Sequence, residues 1–391
     1  MKYDLDRLID RKEFGSLKWD VAEGELPMWV ADMDFASPPA VVEEISRLAA
    51  QGVYGYAAEG DWTSPYISWW RDRHGETIRP EELVFSTGVI PVLSSAVRTF
   101  SRPAEKVLIM TPVYNIFYNC IRNSGRRIEE SELVYEGGSY HIDFDDLEKK
   151  LSDPYTSMMF LCNPANPTGN IWSREELSKI GHLAKKHSVI VISDEIHCDV
   201  TDPGYEYVPF LSCGPEAEEV GISAISPAKA FNLGGIQTAA CYSHNENLRW
   251  RIWRQLNTDE CGEGNVFAYA AARAAFTGGG EWLDEVREYI YQNKLLFKEK
   301  LESALPDIHV VCGHATYLAW VDVAAYMGDD IPDSGVMQHK LRQETGLFVS
   351  KGGIYGGDGE HFLRVNLAAP RARVEDGISR LISFFSKRGR Q

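Results

Sequence analysis

From about residue 80 onward the chain alternates short, almost wholly apolar runs with stretches of helical periodicity. Leu83-Val84-Phe85, Lys106 to Met110, Ser157 to Cys162, Ser188 to Ile192, Gly221 to Ile225 and Thr238 to Tyr242 are such runs. A strand without polar alternation has no face for water, so these runs require cover on both sides. That confines the chain to an α/β class: a mostly parallel sheet between helices. The intervening helices are legible too. Ile90 to Phe100 opens after Gly88-Val89. Ser173-Arg174-Glu175-Glu176 forms a capping box ahead of a face built from Leu177, Ile180, Leu183 and Ala184. After about residue 280 the pattern changes to a long helix from Trp282 to Leu305, short strand-like pieces, a glycine-rich Gly352 to Gly357 stretch, and a helix from Val374 to Phe385. We read a large unit over 46–280, with an N-terminal arm (1–45) and a small α/β C-terminal unit (281–391). The arm is expected to be irregular, with Pro27, Pro38 and Pro39, and to lie on another lobe or subunit.

Composition narrows the function. A formal net charge of −17 over 391 residues argues against nucleic acid and anionic membrane surfaces as partners. Any anion must therefore be gripped locally, by backbone N–H groups and a few cations. Cysteines at 120, 162, 198, 213, 241, 261 and 312 form no Cys-x-x-Cys pair. That spacing predicts reduced thiols in a cytoplasmic protein, without a disulfide framework or a metal site. No N-terminal signal region and no run of membrane-spanning length is present. Phosphate-loop, dinucleotide, His-Glu-x-x-His and Gly-x-Ser-x-Gly motifs are absent as well.

In open α/β sheets ligands sit at the carboxyl ends of strands. Here those ends carry Thr111 to Tyr114, Asn163 to Gly169, Asp194 to His197 and Ser226 to Lys229. Lys229, among small residues, is an amine able to form a Schiff base and then move a proton. Asp194 closes a buried run, where a carboxylate needs a cationic partner such as a pyridinium N–H. Asn166 can bond a phenolic oxygen, and His197 can bond the same oxygen or the asparagine. Gly88 and Val89 open a helix whose N–H groups can hold phosphate, with the Ser226 hydroxyl beside them. Tyr114 can stack on a pyridine ring. Tyr56 lies in a tyrosine-rich loop, and Arg364 can grip a carboxylate with both arms. Together these groups are what pyridoxal 5′-phosphate requires.

The segments Met28-Trp29-Val30-Ala31-Asp32-Met33-Asp34-Phe35, Tyr54-Gly55-Tyr56, Asn166-Pro167-Thr168-Gly169, Asp194-Glu195-Ile196-His197, Lys229-Ala230-Phe231-Asn232 and Leu363-Arg364-Val365-Asn366 carry a resemblance. The chain resembles the fold-type I pyridoxal-phosphate enzymes of the class I/II aminotransferase superfamily. Within them it is most similar to the MalY/PatB-type cystathionine β-lyases, or C–S lyases. The resemblance implies a transferase-like large domain with a seven-stranded sheet and a homodimer with shared active sites. It implies β-elimination from a sulfur amino acid (cystathionine, cysteine or an S-substituted cysteine) to a thiol or homocysteine, pyruvate and ammonia. Lys229 would be the Schiff-base lysine, Asp194 the partner of the ring nitrogen, Asn166 the partner of the phenolic oxygen and Tyr114 the stacked ring. Gly88, Val89 and Ser226 would hold the phosphate, Tyr56 would reach the neighbouring subunit's phosphate, and Arg364 would bind the substrate carboxylate. Departures exist: Ala230 follows the lysine where threonine is usual, and Gln237 stands where aspartate aminotransferases place an arginine. An aminotransferase is the first alternative, and a cofactor-bearing regulatory binding protein the second.

Overall fold

The computed structural model describes residues 2–311 and 313–388. Cys312 lies outside the described residues, and the other six cysteines are free thiols. The large sheet has seven strands: β1 (Leu83–Ser86), β2 (Lys106–Thr111), β3 (Arg127–Glu132), β4 (Thr156–Cys162), β5 (Ile190–Asp194), β6 (Gly221–Ile225) and β7 (Ala239–Tyr242). Their spatial order is β1-β7-β6-β5-β4-β2-β3. All neighbours run parallel except β7, which is antiparallel to both β1 and β6. Successive side chains of a strand point to opposite faces, and here both faces are apolar. Val107 and Ile109 of β2 join one cluster with Met158, Phe160 and Ile192, while Leu108 and Met110 join the other with Met159, Leu161 and Val191.

The helices supply the cover. We label α1 (Pro39–Ala49), α2 (Thr63–His74), α3 (Val89–Phe100), α4 (Arg174–His187), α5 (Gly280–Ala304) and α6 (Arg371–Phe385). Leu177, Ile180, Leu183 and Ala184 of α4 are buried against one face, and Val92, Leu93, Ala96 and Val97 of α3 against the other. The Ser173–Glu176 capping box is formed in both directions. Four strands, β8 (His309–Val311), β9 (Leu318–Asp322), β10 (Ser350–Lys351) and β11 (Phe362–Asn366), make an antiparallel second sheet in the order β8-β9-β11-β10. Its core takes Phe297 and Leu301 from α5, Val374, Ile378 and Leu381 from α6, and Leu26 and Met28 from the N-terminal segment.

Three expectations need correction. β5 starts at Ile190, because Ser188 is the left-handed C-cap of α4 with φ 57°. The arm is not irregular to residue 45, since α1 begins at Pro39, where proline's fixed φ and missing N–H suit the first helical turn. β3, Arg-Ile-Glu-Glu-Ser-Glu, was not anticipated: it is the polar edge strand and shows no apolar run. Just past β7, His244 brings Nδ1 to 3.1 Å from Glu82 and Nε2 to 3.6 Å from Glu76. Hydrogen bonding to Glu76, then to Glu82, lifts its pKa to about 9.

Candidate active site

Register sets the site. Cys162 of β4 pairs with Asp194 of β5, and Asp194 with Ala224 of β6, so the carboxyl ends of three parallel strands finish level. Above them opens a cavity of about 320 Å³ lined by Gly88, Val89, Tyr114, Asn166, Asp194, His197, Ser226 and Lys229. Thr87, Ile196, Gln237, Thr238 and Ala31 are among the other residues of its wall.

Asp194 is buried and takes one hydrogen bond, from the Ile196 N–H at 3.2 Å. Burial pushes its carboxyl up to about 6, against the pull of that N–H and of Lys229. Burial, then the Arg364 charge, pulls the Lys229 amine down to about 8. Lys229 Nζ donates to the Ala31 carbonyl at 2.5 Å, and Tyr317 Oη donates to the same oxygen at 3.0 Å. Burial, with Lys229 and Arg364, holds His197 near 3, so its imidazole is neutral. His197 Nδ1 is buried without a hydrogen-bond partner among the described residues, and the ring meets Tyr317 edge-on at 6.0 Å.

Arg364, on β11, lies buried beside the cavity. It donates from Nη1 to Asn166 Oδ1 at 3.1 Å and from Nη2 to the Trp29 carbonyl at 2.8 Å. Its Nε has no hydrogen-bond partner among the described residues. Asn166 is therefore held by Arg364 and not by His197. The cavity end formed by Thr87, Gly88 and Val89 is the N-terminus of α3, where unpaired N–H groups and the helix dipole favour an anion. Thr238 lines the same cavity, its buried hydroxyl close to that of Tyr66. The Ser226 hydroxyl is occupied, donating to the Thr238 carbonyl at 2.7 Å and accepting from the Ala228 N–H at 3.1 Å.

The N-terminal arm closes this arrangement through main-chain carbonyls. Asn366 Nδ2 donates to Val30 O and Asp32 O, both at 2.6 Å, and Asn232 Nδ2 donates to Met33 O and Phe35 O, both at 3.0 Å. Asn232, three residues past Lys229, has φ 58°. Buried Asp34 anchors the strap, with Arg11 at 2.7 Å, Lys18 at 3.1 Å and Arg373 at 3.3 Å. Sequence reasoning missed Ala31, Tyr317 and Thr238. Residue type does not reveal a carbonyl acceptor, and no motif marks the other two. Tyr56 is fully exposed and outside this cavity.

These groups fit pyridoxal 5′-phosphate. A buried carboxylate with a single backbone donor suits a cation, a desolvated amine shares its cavity, and the helix N-terminus at the same cavity suits a phosphate. The family model "Aminotransferase class I and II" matches residues 28–381. The chain belongs to this family. Cystathionine β-lyase PatB of Bacillus subtilis is 37% identical over 98% of this chain and 100% of that protein. The crystal structure of cystalysin from Treponema denticola, which contains pyridoxal 5′-phosphate, matches with a TM-score of 0.94 and 32% identity over 99% of this chain and 100% of that one. The PLP-bound C–S lyase of Staphylococcus hominis matches with a TM-score of 0.91 and 32% identity, covering 98% of each chain. No helix among the described residues is long and apolar enough to cross a membrane.

Proposed function

We propose that this protein is a pyridoxal-phosphate-dependent C–S β-lyase, cleaving L-cystathionine, cysteine or S-substituted cysteines to a thiol (or homocysteine), pyruvate and ammonia. The observation that carries the reading is full-length likeness to a cystathionine β-lyase at 37% identity, together with a cavity that joins Lys229 and Asp194. Bound there, the cofactor supplies a ring that accepts the electron pair released at the substrate's Cα.

The chain's own residues do the rest. Lys229 would hold the cofactor and would take the Cα proton of bound substrate. An amine near 8 is a competent base at neutral pH, where a solvated lysine is not. Asp194 keeps the ring nitrogen protonated, and burial strengthens that pairing. Tyr114 covers the ring, Asn166 bonds the phenolic oxygen, and His197 adds a neutral N–H donor to the same wall. Gly88, Val89 and Ser226 take the phosphate, with Ser226 exchanging its Thr238 bond to do so. Arg364 binds the substrate's α-carboxylate. The strap over residues 29–34 excludes water while the Cβ–S bond breaks and the electron pair leaves on sulfur.

Residues 46–280 form the cofactor-binding unit in this reading, with 1–45 and 281–391 as arm and small unit. The enzyme works as a homodimer in the cytoplasm, and fully exposed Tyr56 reaches the neighbouring subunit's phosphate. Pyruvate release from L-cystathionine by cofactor-loaded protein, with no 2-oxo acid added, tests the activity. Sustained turnover is expected. Amino transfer only after a 2-oxo acid is supplied would replace the lyase reading with an aminotransferase.

A further inference from the structure

Just beyond His197 the chain enters a second cavity, of about 230 Å³, lined by Arg73, His74, Cys198, Asp199, Tyr207 and Arg287 among others. His74 is the last residue of α2, while Cys198 and Asp199 continue the Asp194–His197 segment. The imidazole nitrogen, the thiol sulfur and a carboxylate oxygen of this trio lie within 4.8 Å of one another. Asp199 is only 3% exposed. Its Oδ1 accepts from Trp69 Nε1 at 2.8 Å and faces His74 Nε2 at 2.9 Å. Its Oδ2 is buried and makes no hydrogen bond of ordinary geometry among the described residues, with the Cys198 thiol beside the carboxylate. A buried acceptor left empty is costly, and a bound cation would satisfy it.

We infer that His74, Cys198 and Asp199 form a binding site for a thiophilic divalent cation of the zinc class. One imidazole, one thiolate and one carboxylate suit zinc, and the cavity leaves a fourth position for water. The arginines nearby do not block it. Arg73 is spent on Asp284, with Nη1 at 2.8 Å and Nη2 at 2.9 Å, and Arg287 donates to Thr201 O at 2.9 Å and Thr201 Oγ1 at 2.8 Å. Bonds of about 2.0–2.3 Å place tetrahedral ligand atoms about 3.5 Å apart, a spacing the trio reaches with small side-chain shifts. His74 binds as a neutral imidazole with its proton on the ring nitrogen away from the metal, and the thiol proton of Cys198 is released to water. Gly204, Tyr205 and Glu206 are exposed on the rim and give an entry path. The sequence expectation of no metal site looked for cysteine pairs, whereas here α2 brings its ligand from 124 positions upstream (198 − 74).

Holoenzyme stripped with a chelator, then dialysed against Zn²⁺ and freed of excess, tests this by metal analysis. One zinc per chain is expected, with affinity at least tenfold weaker in Cys198→Ser and in His74→Gln. Both variants leave the Trp69–Asp199 bond in place. Co²⁺ in place of Zn²⁺ is expected to show a thiolate charge-transfer band that Cys198→Ser abolishes. This second readout needs only the wild type if a variant fails to fold. Substoichiometric zinc, binding unchanged in both variants, or cobalt binding without a thiolate band would overturn the assignment.

Discussion

Asp194→Asn is expected to stabilise the cofactor-free protein while crippling the enzyme. Burial raises the Asp194 carboxyl from 3.8 to about 6 in the folded chain without its cofactor. A carboxyl with a raised folded-state pKa loses stability as pH climbs from its unfolded value through its folded one, and the whole penalty stands above the latter. The difference between 3.8 and about 6, at about 1.4 kcal/mol per pH unit, is about 3 kcal/mol. Asparagine carries no charge and escapes it, less what its amide loses in an apolar floor, leaving a net gain of about 1–3 kcal/mol at pH 8 and almost none at pH 4. Urea unfolding of both apo-proteins at the two pH values measures this directly. In the cofactor-loaded state the order reverses, because the carboxylate then has its cation, and cofactor affinity is expected to fall about a hundredfold in the variant. Equal stability of the two apo-proteins at pH 8 would refute the reasoning, since Asp194 would then be solvated or paired within the chain. The wider point is that this site stores instability that its ligand relieves.

Other outcomes follow from the same geometry. Arg364→Lys keeps the charge but loses the two-armed donor, so KM is expected to rise about 10–100-fold with kcat little changed in the pyruvate assay. His244, raised to about 9 between Glu76 and Glu82, contributes stability that is full below pH 6.5 and fades as pH passes 9. His244→Gln should remove about 1–3 kcal/mol at pH 6 and flatten that slope, read by denaturant unfolding from pH 6 to 10. If sites are shared between subunits, mixing Tyr56→Phe with Lys229→Ala chains should restore up to about a quarter of wild-type turnover, whereas sites complete within one chain would gain nothing on mixing.

The central strands were legible because burial on both faces leaves only apolar residues in Val107 to Met110 or Met158 to Leu161. β3 was not: at the sheet edge the backbone pairing with β2 suffices and the side chains stay polar. The level strand ends at Cys162, Asp194 and Ala224 could be inferred only as a tendency of parallel sheets, since register is not written in the apolar pattern. Side chains with distinctive chemistry, such as Lys229 and Asp194, stood out in the sequence. Ala31 did not, because its contribution is a carbonyl that any residue could offer. Tyr317 and Thr238 were equally silent, single residues with no motif around them. The metal trio was hidden for a third reason: its spacing belongs to the tertiary fold and to no segment.

The strap also fixes an order of events at the ribosome. Ala31 is made early, but its neighbours' carbonyls wait for Asn366, and Leu26 waits for its strand partner Leu347. Between residues 31 and 366 lie 335 steps of synthesis, roughly 20–70 s at 5–20 residues per second. Until its partners emerge, from Phe297 through Leu347 and Phe348, the apolar surface of Leu26, Met28 and Trp29 stays open to whatever chaperone meets it. The first part of the active site to be translated is therefore the last to be installed.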